Sequence, residues 1–229
     1  MASASARRRM TVILASLAGF VLVLLVLAQL LLPRIAASRV SSRVGRYGSV
    51  VSVSVSAWPA VKLLWGDADS VRVRARSLSL SPAQVAELLW EARGAASLQI
   101  DAQTVQLGRL RLSAATLHKH GHALSAAALA SEAAVHAALP AGFGVTLLNS
   151  AGGQVEVRAS GALFGIGAAV DAVALAREGK LIAHPLGLLL EGVQLTLFAD
   201  ERVHVLGVGA SVASAQPRVY RLALAATLR

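Results

Sequence analysis

Residues 49–80, SVVSVSVSAWPAVKLLWGDADSVRVRARSLSL, decide the fold class. Apolar residues alternate with serine or arginine in two runs, 49–56 and 71–80, on either side of a short apolar segment. A period of two residues places the apolar side chains on one face of a strand and the polar ones on the other. The stretch therefore predicts two strands with one buried face each, joined by a short turn or helix at 60–65 that Gly66 closes.

The segment that follows contains the start signal of a helix. Ser81 suits the N-cap, Pro82 the first helical position and Gln84 the third, a combination typical of a helix N-terminus. We expect this helix to end near Gly94, and a second helix to cover 131–139 before Pro140. Between and after them the alternation predicts three strands within 97–130, the last two turning at His120 and Gly121, and then strands near 145–148, 155–160, 162–177, 180–184, 193–198, 202–208 and 218–229.

The run at 162–177 is apolar at every even position. As one strand it would extend about 50 Å, far beyond the usual five or six residues, and it would have to bend around a helix or a lipid. Tight turns between successive strands favour antiparallel pairing. The predicted fold class is therefore α+β, with a long, strongly curved antiparallel sheet packed around or beside a few helices.

An uncharged run from Met10 to Leu32 follows Arg7, Arg8 and Arg9. As a helix its 23 residues would be about 35 Å long, enough for a bilayer core of about 30 Å. We expect a basic cytoplasmic region at 1–9, a transmembrane anchor at 10–32 and one extracytoplasmic domain at 33–229, on the outer side of the cytoplasmic membrane. A cleaved signal peptide is the alternative for the run.

Three arginines follow the predicted anchor at helical spacing. Arg39, Arg43 and Arg46 fall on one face of a helix over 34–47. Directly after a membrane span, such a stripe favours contact with lipid headgroups, and a solvated helix face is the alternative. The net charge of +10 also suits an anionic membrane surface. Nucleic acid is not expected as a partner, because the chain has only four Phe, three Trp and two Tyr for base stacking.

The sequence offers little for catalysis. It has no cysteine, no phosphate-binding P-loop motif and no nucleophile elbow, and its carboxylates are scattered. His118, His120 and His122 could only form a metal site together if Gly121 did not turn the chain between them. We therefore expect that the protein is not an enzyme and has no catalytic residue, metal or cofactor. An envelope enzyme that uses carboxylates or these histidines remains an alternative to the two binding and structural hypotheses given below.

Three stretches together resemble a known family. They are LLPRIAASRVSSRVGRYGSVVSVSVSAWPAVKLLWGDADSVRVRARSLSLSPAQVAELL at 31–89, VEVRASGALFGIGAAVDAVALAREGKL at 155–181 and LTLFADERVHVLGV at 195–208. They look like the LmeA-like phospholipid-binding proteins of actinobacterial envelopes. The resemblance implies a curved sheet around an apolar cavity, similar to tubular lipid-binding (bactericidal/permeability-increasing-like) proteins. It also implies a role in envelope lipid or lipoglycan assembly in the periplasm, and it assigns no individual binding residue.

Our leading hypothesis is a membrane-tethered envelope domain that binds phospholipid in an apolar groove. The alternative is a ligand-free structural adaptor of an envelope complex. The residues expected to line the groove are Trp58, Leu63, Leu64, Trp65, Val85, Leu88, Leu89, Phe164 and Ile166, and those expected at the headgroups are Arg39, Arg43 and Arg46.

Overall fold

The computed structural model describes residues 26–163, 166–186 and 194–229. Its helices are α1 (26–45), α2 (Pro82–Glu91) and α3 (Glu132–Ala138), with 3-10 turns at Ala60–Trp65 and Ala92–Gly94. Its strands are β1 (Gly48–Ser56), β2 (Ala68–Leu80), β3 (Ala95–Leu107), β4 (Leu110–His120), β5 (Ala123–Ser131), β6 (Phe143–Ala151), β7 (Gln154–Leu163), β8 (Ile166–Arg177), β9 (Lys180–Leu186), β10 (Leu195–Phe198), β11 (Val203–Ala215) and β12 (Arg218–Leu228).

These strands form two sheets. The large sheet has the order β1-β2-β3-β4-β5-β12-β11, and the small sheet has the order β10-β9-β8-β7-β6. The α+β, sheet-dominated prediction is confirmed, but two sheets replace the single one expected. The pairing also departs from the prediction, since β3 runs parallel to β2. Helix α2 explains this, because it carries the chain back to the end of the sheet from which β2 started.

The local signals around α2 and the preceding turn are confirmed. The Ser81 hydroxyl accepts from the Gln84 amide at 3.3 Å, and the Gln84 side chain accepts from the Ser81 amide at 2.7 Å. Gly66 closes the turn at Ala60–Trp65 with a φ of 84°, a backbone angle that favours glycine. Both features are set by residues adjacent in sequence, which is why the pattern alone predicts them.

The prediction of one long strand at 162–177 is wrong. Ala162 and Leu163 end β7, and they pair with Gly167 and Ile166 at the start of β8. Two antiparallel strands therefore replace the single long one, and residues 164–165 between them lie outside the described ranges. The pairing breaks the even-numbered period, because position 162 is paired with Gly167 and position 166 with Leu163, so an odd-numbered residue of β7 stands opposite an even-numbered residue of β8.

A β-bulge in β1 places Val51 on the face opposite to the one that the alternation predicts. Val50 pairs with Ala75 and Ser52 with Arg74, so Val51 has no partner opposite it in the ladder. Val51 is 61% exposed as a result, although the alternation placed it with Val53 and Val55. An extra residue in one strand shifts the inside–outside alternation by one position.

The small sheet meets the large sheet at β11. The Val205 amide donates to the Gly179 carbonyl at 2.8 Å, and the Val208 amide donates to the Gly153 carbonyl at 3.0 Å. The Ala210 amide donates to the Ser150 hydroxyl at 2.9 Å. Gly153 and Gly179 lie in the hairpin turns of the small sheet, so the tips of its hairpins lie against the edge strand of the large one.

Only the last residues of the predicted anchor at 10–32 lie in the described part of the chain. Among the described residues, no helix combines the length and the apolar character that crossing a membrane requires.

Candidate functional site

The inner face of the large sheet borders a cavity of about 1250 Å³. Helix α1 and helix α2 lie over this face, and β9 and β10 of the small sheet contribute Leu181, Leu197 and Phe198. The cavity is larger than the roughly 300–1,000 Å³ of ordinary small-molecule sites. The fold therefore holds an unusually large space beside its main sheet.

Register explains why the lining is apolar. One row of paired residues crosses six strands of the large sheet, and every member lines the cavity: Val73, Ile100, Leu117, Ala126, Leu224 and Val208. Paired residues share a face of a sheet, so alternation along each strand repeats an apolar inner face across the whole sheet. The outward positions between them include arginine, histidine and serine.

Polar side chains are few on the lining and cluster mainly between α1 and α2. Among the described lining residues they are Arg39, Arg43, Tyr47, Glu91 and Thr116. Arg43 donates to the Glu91 carboxylate, which joins α1 to the end of α2. No described carboxylate pairs with Arg39. The cavity thus combines a hydrocarbon-like interior with a cationic region beside α1.

The sequence-predicted residues divide into three groups. Seven line the cavity: Leu63, Leu64, Val85, Leu88, Leu89, Arg39 and Arg43. Three lie outside the lining: Trp58 and Trp65, whose side chains are 72% and 73% exposed, and Arg46. Phe164 and the side chain of Ile166 fall outside the described residues.

Sequence reasoning missed most of the lining. The inner faces of β3, β4, β5 and β12 supply much of it, including Ile100, Leu117, Leu124, Leu222 and Leu224. The sequence predicted strands in these regions but assigned none of these residues to a face. It could not distinguish a face packed against protein from a face that borders a cavity.

Lys119 is a buried charged residue of the large sheet. It lies on β4 in the apolar row between Leu98 and Leu124, and it is only 3% exposed. Its Nζ donates to the carbonyl of Arg93 at 3.2 Å and to that of Ala95. Burial lowers the pKa of the Lys119 amine, because a low-dielectric environment disfavours the charged form.

The histidines around Lys119 do not assemble a metal site in the described residues. His118 and His120 are exposed on the opposite face of β4, and Gly121 makes the predicted turn with a φ of 57°. No group of three His, Cys, Asp or Glu side chains in the described part of the chain is placed to hold an ion.

Two carboxylates with perturbed ionisation lie apart from the cavity lining. Hydrogen bonds from Arg158, at 2.7 and 2.9 Å, lower the pKa of Asp171. Hydrogen bonds from Arg202 likewise lower the pKa of Asp200. Each carboxylate is matched to one arginine in a strand pair or a turn, so both serve local structure.

Comparison with known proteins identifies one family. The family model described as LmeA-like phospholipid-binding matches residues 24–224. Neither the curated proteins nor the solved structures provide a match. The matched range includes α1, α2, every described strand of the small sheet and almost all of the large sheet. The chain belongs to the LmeA-like phospholipid-binding family.

Proposed function

We propose that this protein binds a phospholipid by taking its acyl chains into the cavity between the large sheet and α1. The observation that carries the proposal is the combination of about 1250 Å³ of space with a lining whose polar side chains are almost confined to one side. Membership of the family supports a lipid as the ligand.

The physical argument concerns what can fill such a space. An empty apolar cavity is costly because its walls lose their packing contacts, and water gains few hydrogen bonds there. A hydrocarbon chain restores those contacts, and each methylene group that it buries contributes about 0.8 kcal/mol. The lining therefore favours acyl chains over polar ligands of the same volume.

In this proposal the headgroup lies beside α1. Arginine matches the geometry of a phosphate with paired N–H donors, and Arg39 and Arg43 are the two arginines of the lining. Glu91 already holds Arg43. Arg39 is therefore the first candidate for the phosphate, with Arg43 positioned by its carboxylate partner and Arg46 outside the cavity.

We further propose that the protein acts by binding rather than by catalysis, and that it is tethered to the cytoplasmic membrane with its main domain on the outer side. The tether is supported by the uncharged run at 10–32 behind three arginines. A role in envelope lipid or lipoglycan assembly follows from the same proposal. Fractionation of cells that express the full chain, with a wash that strips peripheral proteins, tests the tether.

The lipid site is tested by native mass spectrometry of the purified full chain, followed by lipid extraction. We expect about one phospholipid per chain. In a matched pair of variants, Ala128→Trp fills the cavity from β5, whereas Ser125→Trp adds the same side chain on the opposite, exposed face of that strand. The indole at 128 displaces several methylene groups, so we expect at least about a tenfold loss of bound lipid.

The Ser125→Trp protein should keep its lipid. Circular dichroism and chemical denaturation establish that both variants fold. A folded wild-type protein free of lipid, or equal lipid in the two variants, would contradict the proposed site and favour the adaptor hypothesis.

A further inference from the structure

The connection between β1 and β2 presents its largest apolar side chains to solvent. Trp58 is 72% exposed, Leu64 66% and Trp65 73%. The small residues Ala57 and Ala60 of the same connection are 4% and 1% exposed. The segment is thus packed against the protein through its alanines and turned outward through its tryptophans, an arrangement that marks an interaction site.

The exposed tryptophans belong to an ordered segment. The Asp69 carboxylate accepts from the Trp58 amide and pairs with the Lys62 amine at 3.5 Å. The Gly66 amide donates to the Leu63 carbonyl at 3.2 Å, and the Asp67 amide donates to the Lys62 carbonyl at 3.2 Å. Hydrogen bonds therefore fix the backbone on both sides of each exposed side chain.

Helix α1 extends this surface. The Gln29 amide group donates to the Ala57 carbonyl at 3.2 Å and accepts from the Ala60 amide at 2.8 Å. This places the first described turns of α1 beside the connection. The surface, here called the tryptophan patch, comprises six residues between 47% and 73% exposed: Leu27, Leu30, Leu31, Trp58, Leu64 and Trp65.

Two observations identify what covers the tryptophan patch. The chain enters α1 from residues 10–25, all uncharged and mostly apolar, so the patch continues a sequence suited to hydrocarbon. Leu64 also lines the cavity while 66% exposed, so the patch borders an opening of the cavity. Tryptophan prefers the boundary between lipid headgroups and acyl chains, where its ring is apolar and its N–H reaches water.

We propose that the tryptophan patch docks on a phospholipid bilayer, with Trp58, Leu64 and Trp65 inserted at the headgroup–acyl boundary. Docking in this orientation holds the opening of the cavity against the source of its ligand. That docking delivers lipid to the cavity rests on the function proposed above. The contact of the tryptophan patch with a bilayer can be measured independently of that function.

The three tryptophans of the chain make a direct test. Trp90 is the internal control, because it lies on α2 outside the patch, with the Arg93 guanidinium 4.7 Å from its ring centre. Full-length variants that keep one tryptophan each carry Trp→Phe at the other two positions. They are reconstituted into vesicles of phosphatidylcholine and phosphatidylglycerol, with or without bromine on the acyl chains, and aqueous iodide is added to a parallel set.

We expect bromine near the headgroup boundary to remove most of the emission of Trp58 and Trp65, at an insertion depth of about 5–10 Å, and little of that of Trp90. Iodide should quench Trp90 more strongly than Trp58 or Trp65, the reverse of the order that their exposure in the protein predicts. Bromine quenching no greater than that of Trp90 would overturn the proposal. If iodide protection persists in that case, the patch belongs to a second copy or a protein partner.

Lipid extracted from the same purified proteins before reconstitution separates this proposal from the previous one. Quenched patch tryptophans in protein that co-purifies without lipid support docking while the cavity proposal fails. Unquenched patch tryptophans in protein that carries about one lipid per chain overturn docking and leave the cavity proposal intact.

Discussion

The two sheets differ in how much apolar side-chain surface they bury. The large sheet buries Leu98 and Leu124 in one cluster with Ala86 and Leu89 of α2. Among the small-sheet strand residues whose side chains are described, Ile182 alone is buried, while Leu148 and Leu195 are 43% and 61% exposed. Because packing of apolar surface supplies most of the free energy of folding, the large sheet is the stable part of the molecule, and the small sheet depends on its attachment to β11.

The largest expected effect tests this difference directly. Leu98→Ala removes a side chain that is 5% exposed in the core of the large sheet, and we expect the free energy of unfolding to fall by about 2–5 kcal/mol. Leu148→Ala in the small sheet is the matched control, for which we expect a change of about 0.5 kcal/mol or less. Urea denaturation measures both, and equal losses would show that the small sheet has a core of its own.

The second prediction concerns the one buried charge in the large sheet. Lys119→Met keeps the length of the side chain but leaves the carbonyls of Arg93 and Ala95 without their donor. An unsatisfied buried acceptor costs about 1–3 kcal/mol, so we expect a loss of that order in the free energy of unfolding at neutral pH, partly offset because no charge is then desolvated.

The pH dependence of the free energy of unfolding tests whether the Lys119 amine is desolvated in the folded protein. Burial lowers the pKa of Lys119 in the folded protein, so the unfolded chain binds more protons between that value and the ordinary lysine pKa of about 10.4. Stability contributed by this group therefore rises with pH across that window and is constant below it. Denaturation at increasing alkaline pH should show this rise in the wild type and not in Lys119→Met; the same slope in both proteins would contradict a desolvated amine.

The elements that the sequence predicts well depend on neighbouring residues. The capping box at Ser81 and Gln84, and the turns at Gly66 and Gly121, are encoded within a few positions. The inward face of β2 follows from alternation in the same way. These predictions hold in the folded protein because each feature depends only on residues within its own segment.

The features that sequence reasoning missed depend on contacts between distant segments. Nothing near β2 specifies that β3 pairs with it in parallel, since that follows from where α2 packs. The hairpin between β7 and β8 interrupts a perfect alternation. Trp58 and Trp65 were expected to line the groove, but Ala57 and Ala60 occupy the protein side of the connection. An apolar cavity was implied by the family resemblance only, because in the alternation a face that borders a cavity and a face that packs carry the same residues.

The smallest expected difference between two paired variants concerns the junction between the sheets. Gly152 and Gly179 both lie in hairpin turns of the small sheet with positive φ angles, 60° and 78°. Alanine at either position carries about 1–2 kcal/mol of backbone strain. A Cβ at 152 would meet open space, whereas a Cβ at 179 would overlap the ring of His204 on β11.

We therefore expect Gly179→Ala to cost about 1 kcal/mol more than Gly152→Ala, because only the former has to displace a side chain of the large sheet. The Val205 amide, which donates to the Gly179 carbonyl at 2.8 Å, should also exchange its hydrogen faster in Gly179→Ala. Hydrogen exchange with urea denaturation measures both. Identical losses and an unchanged Val205 amide would mean that His204 moves aside freely and that the other two contacts with β11, through Gly153 and Ser150, suffice to hold the small sheet in place.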